Sequence, residues 1–245
     1  TKSWPSWPIW DKSTDEDLIL EVLRSGVWSR AKVVAEFERK YAELMGAKRC
    51  LATTNGTKAL LTSLFVLGIG AGDEVLVPPY TFVATVNVVP TVFALPVFVD
   101  TDPETLKIDA EKMEERITKY TKAIIPVHIG GGACDMDKIM VIAKKHNIAV
   151  VEDACQAWMG EWRNKKLGAI GDIGCFSFQA SKNLNCGEGG AIISSNEKLM
   201  NLCTAFTNNG RPPRVKGATL SGYPYPGLKK LKSIRDKRET AITSL

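Results

Sequence analysis

The sequence predicts an α/β fold: a mostly parallel sheet with helices on both faces. Three observations carry that prediction. From Cys50 onward, short β-rich runs alternate with amphipathic helical patterns. At 245 residues and 44% hydrophobic content, the chain can bury one large α/β core or two small ones. Several β-rich runs are followed by polar residues capable of chemistry, and open parallel sheets bind ligands at the carboxyl ends of their strands.

Taken in order, Trp4-Pro-Ser-Trp-Pro-Ile-Trp10 is aromatic and punctuated by proline, which suits an extended arm better than a helix. Ser13-x-x-Glu16 has the form of a capping box, and the helix it opens should end near Gly26. A second helix, with Phe37, Tyr41 and Leu44 on one face, should stop at Gly46. Strands are expected at Glu74 to Val77, Pro96 to Val99, Ala123 to Val127, Ile148 to Val151, Gly174 to Phe178 and Ala191 to Ser194. Gly68-Ile-Gly-Ala-Gly72 has the look of a dinucleotide fingerprint, but it follows a helix and precedes a strand. A Rossmann loop does the reverse, so these glycines read as a helix stop and turn, against a nicotinamide enzyme.

Composition excludes several classes. No run of eighteen apolar residues and no charged-then-apolar leader pattern occurs, so neither a membrane span nor secretion is indicated and the cytoplasm is the default. Six cysteines without a Cys-x-x-Cys pair and two histidines, His128 and His146, argue against a metal site. The cysteines read as small buried hydrophobes of a reducing compartment, with Cys155 and Cys186 placed by their neighbours near the chemistry. The net charge of +5 is modest, and much of the excess falls at Lys229 to Arg238, where Leu228, Leu231 and Ile234 recur at helical spacing. That is a solvated helix face, not a nucleic-acid surface.

Two residues point to chemistry. Cys175-Phe-Ser-Phe-Gln-Ala-Ser-Lys182 delivers an amine onto the Gly-rich stretch that ends at Gly190, and Ile148-Ala-Val-Val-Glu-Asp153 delivers a carboxylate at the end of a buried run. A buried carboxylate is costly unless paired. An amine of pKa ~10.4 is no nucleophile at neutral pH unless its pKa is lowered or it is held as an imine. A lysine for an aldehyde and an acid for a pyridine nitrogen are the groups that pyridoxal phosphate chemistry requires, although each alone is also an ordinary surface residue type. Thr54-Asn55-Gly56-Thr57 then leads into the helical pattern Ala59, Leu60, Leu64, Phe65, and a helix start of that kind is a phosphate cradle.

With Pro78-Pro-Tyr-Thr-Phe-Val-Ala-Thr85, Glu152-Asp-Ala-Cys-Gln156, Ser177-Phe-Gln-Ala-Ser-Lys-Asn183, Gly187-Glu-Gly-Gly190 and Asn208-Asn-Gly-Arg211, these motifs make the chain resemble the DegT-type sugar aminotransferases. That is a branch of the fold-type I pyridoxal phosphate enzymes. The resemblance implies residues 1–49 as an N-terminal arm with two helices, 50–211 as the large cofactor-binding α/β domain and 212–245 as a remnant of the C-terminal region. It implies pyridoxal 5'-phosphate as cofactor, Lys182 as its Schiff-base lysine and proton shuttle, and Asp153 as partner of the pyridine nitrogen. Gln156 matches the position near the ring oxygen, Phe82 the stacking aromatic, Gly56, Thr57 and Ser177 the phosphate contacts, and Asn183 an orienting residue. Read from the residues alone, Gln156 is equally a turn-capping amide, Phe82 a core aromatic, and His128 either at the site edge or in the core, while His146 is a surface residue.

The implied activity is transfer of an amino group from glutamate or glutamine to a keto sugar, carried as a sugar nucleotide, or to a keto-cyclitol, by a homodimer. Family dehydratases that replace the lysine by histidine are set aside by Lys182. Two departures stand against the pattern. Gly222-Tyr-Pro-Tyr-Pro226 has proline where the family has an asparagine and an arginine, and little sequence remains for the family's C-terminal domain. The rival expectation is therefore a non-catalytic, cofactor-binding or regulatory relative, or an inactive truncated fragment.

Overall fold

The computed structural model describes Pro8, residues 10–29 and residues 31–208. Most of the aromatic arm, Gly222 to Pro226 and the basic pattern at 228–239 lie outside the described residues.

Helix α1 (Asp15–Ser25) ends at Gly26, whose φ of 68° is the left-handed cap that glycine adopts without strain. Its start differs from the expected capping box. The Ser13 N–H and hydroxyl both bond Asp11 Oδ1, at 2.8 and 2.6 Å, and Thr14 stands as N-cap without a capping bond from its side chain. Asp11, a charged acceptor two residues upstream, captures the serine. Helix α2 (Lys32–Met45) stops at Gly46 as expected and buries Tyr41, Ala42 and Met45, while Leu44 is 50% exposed. Three residues advance a helix to about 60° short of a full turn, so the inward stripe runs on from Tyr41 to Met45 and bypasses Leu44.

Strand β1 (Arg49–Thr53) feeds α3 (Gly56–Val66), and β2 (Glu74–Val77) is followed by α4 (Val83–Thr91) and β3 (Leu95–Phe98). A short α5 (Met113–Arg116), β4 (Thr121–Ile124), α6 (Met136–His146) and β5 (Ala149–Asp153) come next. The small hairpin β6 (Glu161–Trp162) and β7 (Lys165–Lys166) precedes β8 (Ile173–Ser177), β9 (Gly190–Ser194) and α7 (Glu197–Thr207). The seven-stranded sheet has the order β1-β9-β8-β5-β4-β2-β3. Only β9 runs against its neighbours, pairing antiparallel with both β1 and β8. The expected strands all occur, that at Glu74 to Val77 with unchanged bounds and the others with ends displaced by at most three residues; β1 and the β6–β7 hairpin are additions. The expected run Ala123 to Val127 stops as a ladder at Ile124, and Val127 keeps only a bridge to Asp153. Pro126 lacks an N–H and interrupts the pairing.

Side-chain alternation sorts the core. Val75 and Val77 of β2, Ala123 of β4, Val151 of β5, Ile173 and Cys175 of β8 and Ile192 of β9 face the layer of α3, α4 and α7. Leu76, Ile124 and Val150 face α6, and Phe176, Ala191 and Ile193 face α2. The period of two thus builds helices on both faces.

Because β1 lies at one edge and β2 next to the other, α3 must cross the sheet between them. It is accordingly buried along most of its length, and Ser63, bonded to Ala59 O at 2.8 Å, lets it approach Cys175 Sγ to 3.3 Å. This crossing sets the N-terminus of α3 against the carboxyl ends of β5 and β8. Gly68 and Gly72, at φ 79° and 83°, form the turn between α3 and β2, as the sequence predicted. No helix among the described residues is long and apolar enough to cross a membrane, and none of their His, Cys, Asp and Glu side chains form a group that could hold a metal ion.

Candidate active site

Asn55 ends the approach from β1 in extended backbone and caps α3, its side chain accepting the Lys58 N–H at 2.9 Å and its carbonyl the Ala59 N–H at 3.1 Å. The N–H groups of Gly56 and Thr57 are left without intrahelical partners, at the positive end of the helix dipole. Gly56 has no room for a side chain: a Cβ would stand 2.8 Å from Cys155 Sγ and 2.9 Å from Ser177 Cβ. Gly190, the first residue of β9, sits so close to the Asn55 backbone that a Cβ there would overlap it. The two glycines let three backbone segments meet at one point.

Asp153 closes β5 and is 5% exposed. Thr85 donates to Oδ2 at 2.7 Å, and the Cys155 N–H to Oδ1 at 3.2 Å. Gln156 is half-buried and accepts the Gly130 N–H at 2.7 Å, so it does cap a turn while also lining the cavity. Ser177 closes β8 and is nearly buried. Beyond it the chain loops back to β9 through bonds from Phe178 N–H to Gly189 O and Ala180 N–H to Gly187 O, both 2.8 Å. Lys182 sits in this loop, in a turn closed by its own N–H on Gln179 O at 2.8 Å. Its Nζ lies 5.7 Å from the ring centre of Trp158, whose Nε1–H is fixed on Ser177 O at 3.1 Å.

These groups face one cavity of about 420 Å³, lined by Gly56, Thr57, Phe82, Asp153, Gln156, Ser177 and Lys182 among others. That is the size range of small-molecule sites. A larger concavity, about 520 Å³, lies at the amino ends of the strands, lined by Asp73, Asn147 and Asp172. It too has a lysine and a buried acid, but Lys122 is exposed with its amine on Lys119 O at 3.2 Å and Asp73 accepts the Gly70 N–H at 2.9 Å; the position at the carboxyl ends of the strands selects the smaller one. Phe82 is 65% exposed and lines the cavity, hence not a core aromatic.

Seven of the eight predicted site residues meet here. The eighth, Asn183, is exposed and does not line the cavity, because the turn at Lys182 sends the following residue to the surface. Cys155 lines the cavity and Cys186 does not. Burial first, and then the charge of Asp153, push the Cys155 thiol well above its usual range, so it stays protonated and is no rival nucleophile to Lys182. His128 is a fully buried core residue, not a site-edge group. Its Nε2 faces Glu152 Oε2 at 3.0 Å and its Nδ1 accepts the Cys134 N–H at 3.2 Å. Burial works against an imidazolium here and Glu152 for it; the Cys134 N–H donated to the Nδ1 lone pair decides for the neutral Nε2–H tautomer.

Sequence reasoning left Thr85, Thr81, Trp158 and Glu188 without a role. Thr81 and Thr85 carry a legible signal, since four-residue spacing at a helix start places both on one face. Trp158 and Glu188 carry none of that kind.

The arrangement offers an anion cradle, a flat aromatic face, a buried carboxylate and an amine within one volume, a donor set that fits a phosphorylated pyridine aldehyde. A family model for the DegT/DnrJ/EryC1/StrS aminotransferase family matches residues 10–229. The chain is 42% identical over 200 residues to the GDP-perosamine synthase of Caulobacter vibrioides, covering 81% of this chain and 54% of that protein. It is 38% identical over 235 residues to the L-glutamine:2-deoxy-scyllo-inosose aminotransferase of Streptomyces lividus, covering 93% and 54%. Among solved structures, the aminotransferase from Psychrobacter cryohalolentis aligns with a TM-score of 0.85 at 33% identity, over 96% of this chain and 65% of that one. NtdA of Bacillus subtilis with bound cofactor PMP aligns with a TM-score of 0.77 at 36% identity, over 85% and 48%. The chain spans about half the length of the curated relatives it matches. With its mostly parallel sheet and helices on both faces, it has the fold-type I aminotransferase architecture and belongs to the DegT/DnrJ/EryC1/StrS aminotransferase family.

Proposed function

We propose that this chain binds pyridoxal 5'-phosphate in the cavity between α3, β5 and β8 and uses it to transfer an amino group from glutamate or glutamine to a keto sugar nucleotide or keto-cyclitol. The observation that carries the reading is that one cavity gathers the amine of Lys182, the buried carboxylate of Asp153 and the free N-terminus of α3. The acceptor class is supported by the names of relatives that act on sugar nucleotides and on an inosose. Working as a homodimer in the cytoplasm is part of the same proposal, as is residues 50–211 forming the cofactor-binding domain with α2 packed upon it.

Bound there, the cofactor supplies an aldehyde carbon for the amino group and a protonated ring that withdraws electrons from the carbon losing its proton. The chain's residues do the rest. Gly56 and Thr57 N–H groups, with the Thr57 and Ser177 hydroxyls, hold the phosphate. Phe82 covers a ring face, Gln156 turns its amide to the ring oxygen, and Asp153 holds the proton at the ring nitrogen. Lys182 Nζ anchors the aldehyde, then moves the α-proton as base and acid. Asn183, outside the cavity wall, orients only through the turn that carries Lys182.

Adding glutamate or glutamine to the cofactor-loaded chain is expected to convert bound pyridoxal to pyridoxamine, read by absorption. A spectrum that neither donor changes would instead support a non-catalytic cofactor-binding relative. Asp153→Asn should keep measurable cofactor binding but slow this half-reaction by at least ~100-fold, the usual contribution of a positioned acid–base group. An unchanged single-turnover rate would remove Asp153 from the mechanism. Gly56→Ala should weaken pyridoxal phosphate binding by roughly ten- to a hundred-fold, because the methyl must displace Cys155 or Ser177 and misalign the N–H donors. Equal affinities by fluorescence titration would show that the cradle lies elsewhere.

A further inference from the structure

We infer that Thr85, held in turn by Thr81, is a positioning residue that fixes on which side the shared proton lies between Asp153 and the ring nitrogen of a bound pyridine cofactor. The inference rests on the cofactor reading above and adds to it two residues from α4 and the turn before it. Thr85 is fully buried, with Oγ1 2.7 Å from Asp153 Oδ2 and 2.8 Å from Thr81 Oγ1. Each hydroxyl has one proton to give. An ionised Asp153 offers only lone pairs, so Thr85 must donate to it, and Thr81 must therefore donate to Thr85. The chain of hydrogen bonds has one direction, toward the carboxylate.

Four other helix hydroxyls behave differently. Ser63, Thr91, Thr204 and Thr207 each turn back onto the carbonyl four residues earlier in their own helices. Thr85, in the first turn of α4, meets the Thr81 side chain and one oxygen of a buried acid 68 residues away in sequence.

The consequence follows from how donors act on a carboxylate. A hydrogen bond donated to a carboxylate oxygen occupies a lone pair that would otherwise be free for the shared proton. With the Cys155 N–H on Oδ1 and Thr85 on Oδ2, each oxygen is stabilised and the proton stays on the ring nitrogen, where the chemistry needs it. Removing the Thr85 hydroxyl should return the proton toward Asp153 by about tenfold or more, the effect of one hydrogen bond to a charged acceptor.

The test is the 15N resonance of ring-labelled pyridoxal phosphate bound to the full chain, compared for wild type, Thr85→Ser, Thr85→Val and Thr81→Val. Wild type and Thr85→Ser are expected at the protonated-pyridine position, Thr85→Val displaced toward the unprotonated one, and Thr81→Val displaced the same way by less. If Thr85→Val fails to fold, Thr81→Val carries the test, since it leaves Thr85 in place. Wild-type resonances in the folded valine variants, or an unprotonated ring in wild type, would overturn the inference. Borohydride reduction of the wild-type sample separates this from the parent reading: label on Lys182 with unmoved resonances sinks the Thr85 role alone, whereas no label on Lys182 sinks the cofactor reading and this one with it.

Discussion

Lys182→Ala is expected to slow the donor half-reaction by roughly 10⁴-fold, the upper end of what one positioned acid–base group contributes, because the same Nζ also anchors the cofactor. The fold should not suffer. Lys182 lies in a loop between β8 and β9, and its recorded side-chain contact is the approach to the Trp158 ring; the Trp158 bond to Ser177 O survives without it. A single-turnover assay with glutamate or glutamine therefore reads chemistry and not stability. A rate within tenfold of wild type would mean that another base moves the proton.

The second large effect is on stability. Glu152 is fully buried, one residue before Asp153, and points to the opposite face of β5. Oε1 accepts the N–H groups of Ile170 and Gly171 at 2.7 and 2.6 Å, and Oε2 accepts Gly168 N–H at 2.7 Å and faces His128 Nε2 at 3.0 Å. It therefore ties the turn that leads into β8 to the core. Glu152→Ala leaves four donors unsatisfied, and breaking a buried network of this kind costs about 3 to 5 kcal/mol. The expected result is a fall in Tm of roughly 10 °C, with Glu152→Gln losing less because one carbonyl acceptor remains. Thermal unfolding followed by circular dichroism checks it; an alanine variant within about 2 °C of wild type would show that water takes over the donors.

The contrast between Glu152 and Asp153 shows how far the sequence is legible. The continuous apolar run Ile148 to Val151 marks a buried strand that ends in two acids, and the strand-end position of Asp153 places it at the ligand-binding edge. The role of Glu152 was hidden, since its partners are backbone N–H groups from a turn whose path no side-chain pattern announces. His128 stayed open between site edge and core for the same reason. It follows a β-rich run and so shares the strand-end signature of Asp153, yet its ring turns inward to Glu152. The strand run pattern found six strands but not that β9 is antiparallel, because register and direction depend on the loop that carries Lys182. Gly56 and Thr57 were legible because a helix start is a local event. The Thr81–Thr85 spacing was legible too, but the bond from Thr85 to Asp153 was not, because that partner lies 68 residues away in sequence. Asn183 was carried by a motif alone, and the geometry of the Lys182 turn leaves it outside the cavity.

The most direct test of the central claim, that the cavity holds pyridoxal phosphate through Lys182, is borohydride reduction of the cofactor-loaded chain followed by peptide mapping. The account predicts a pyridoxyl group on the peptide containing Lys182, absent from Lys182→Ala. A label found mainly on another lysine, or spread over the surface lysines, would contradict it.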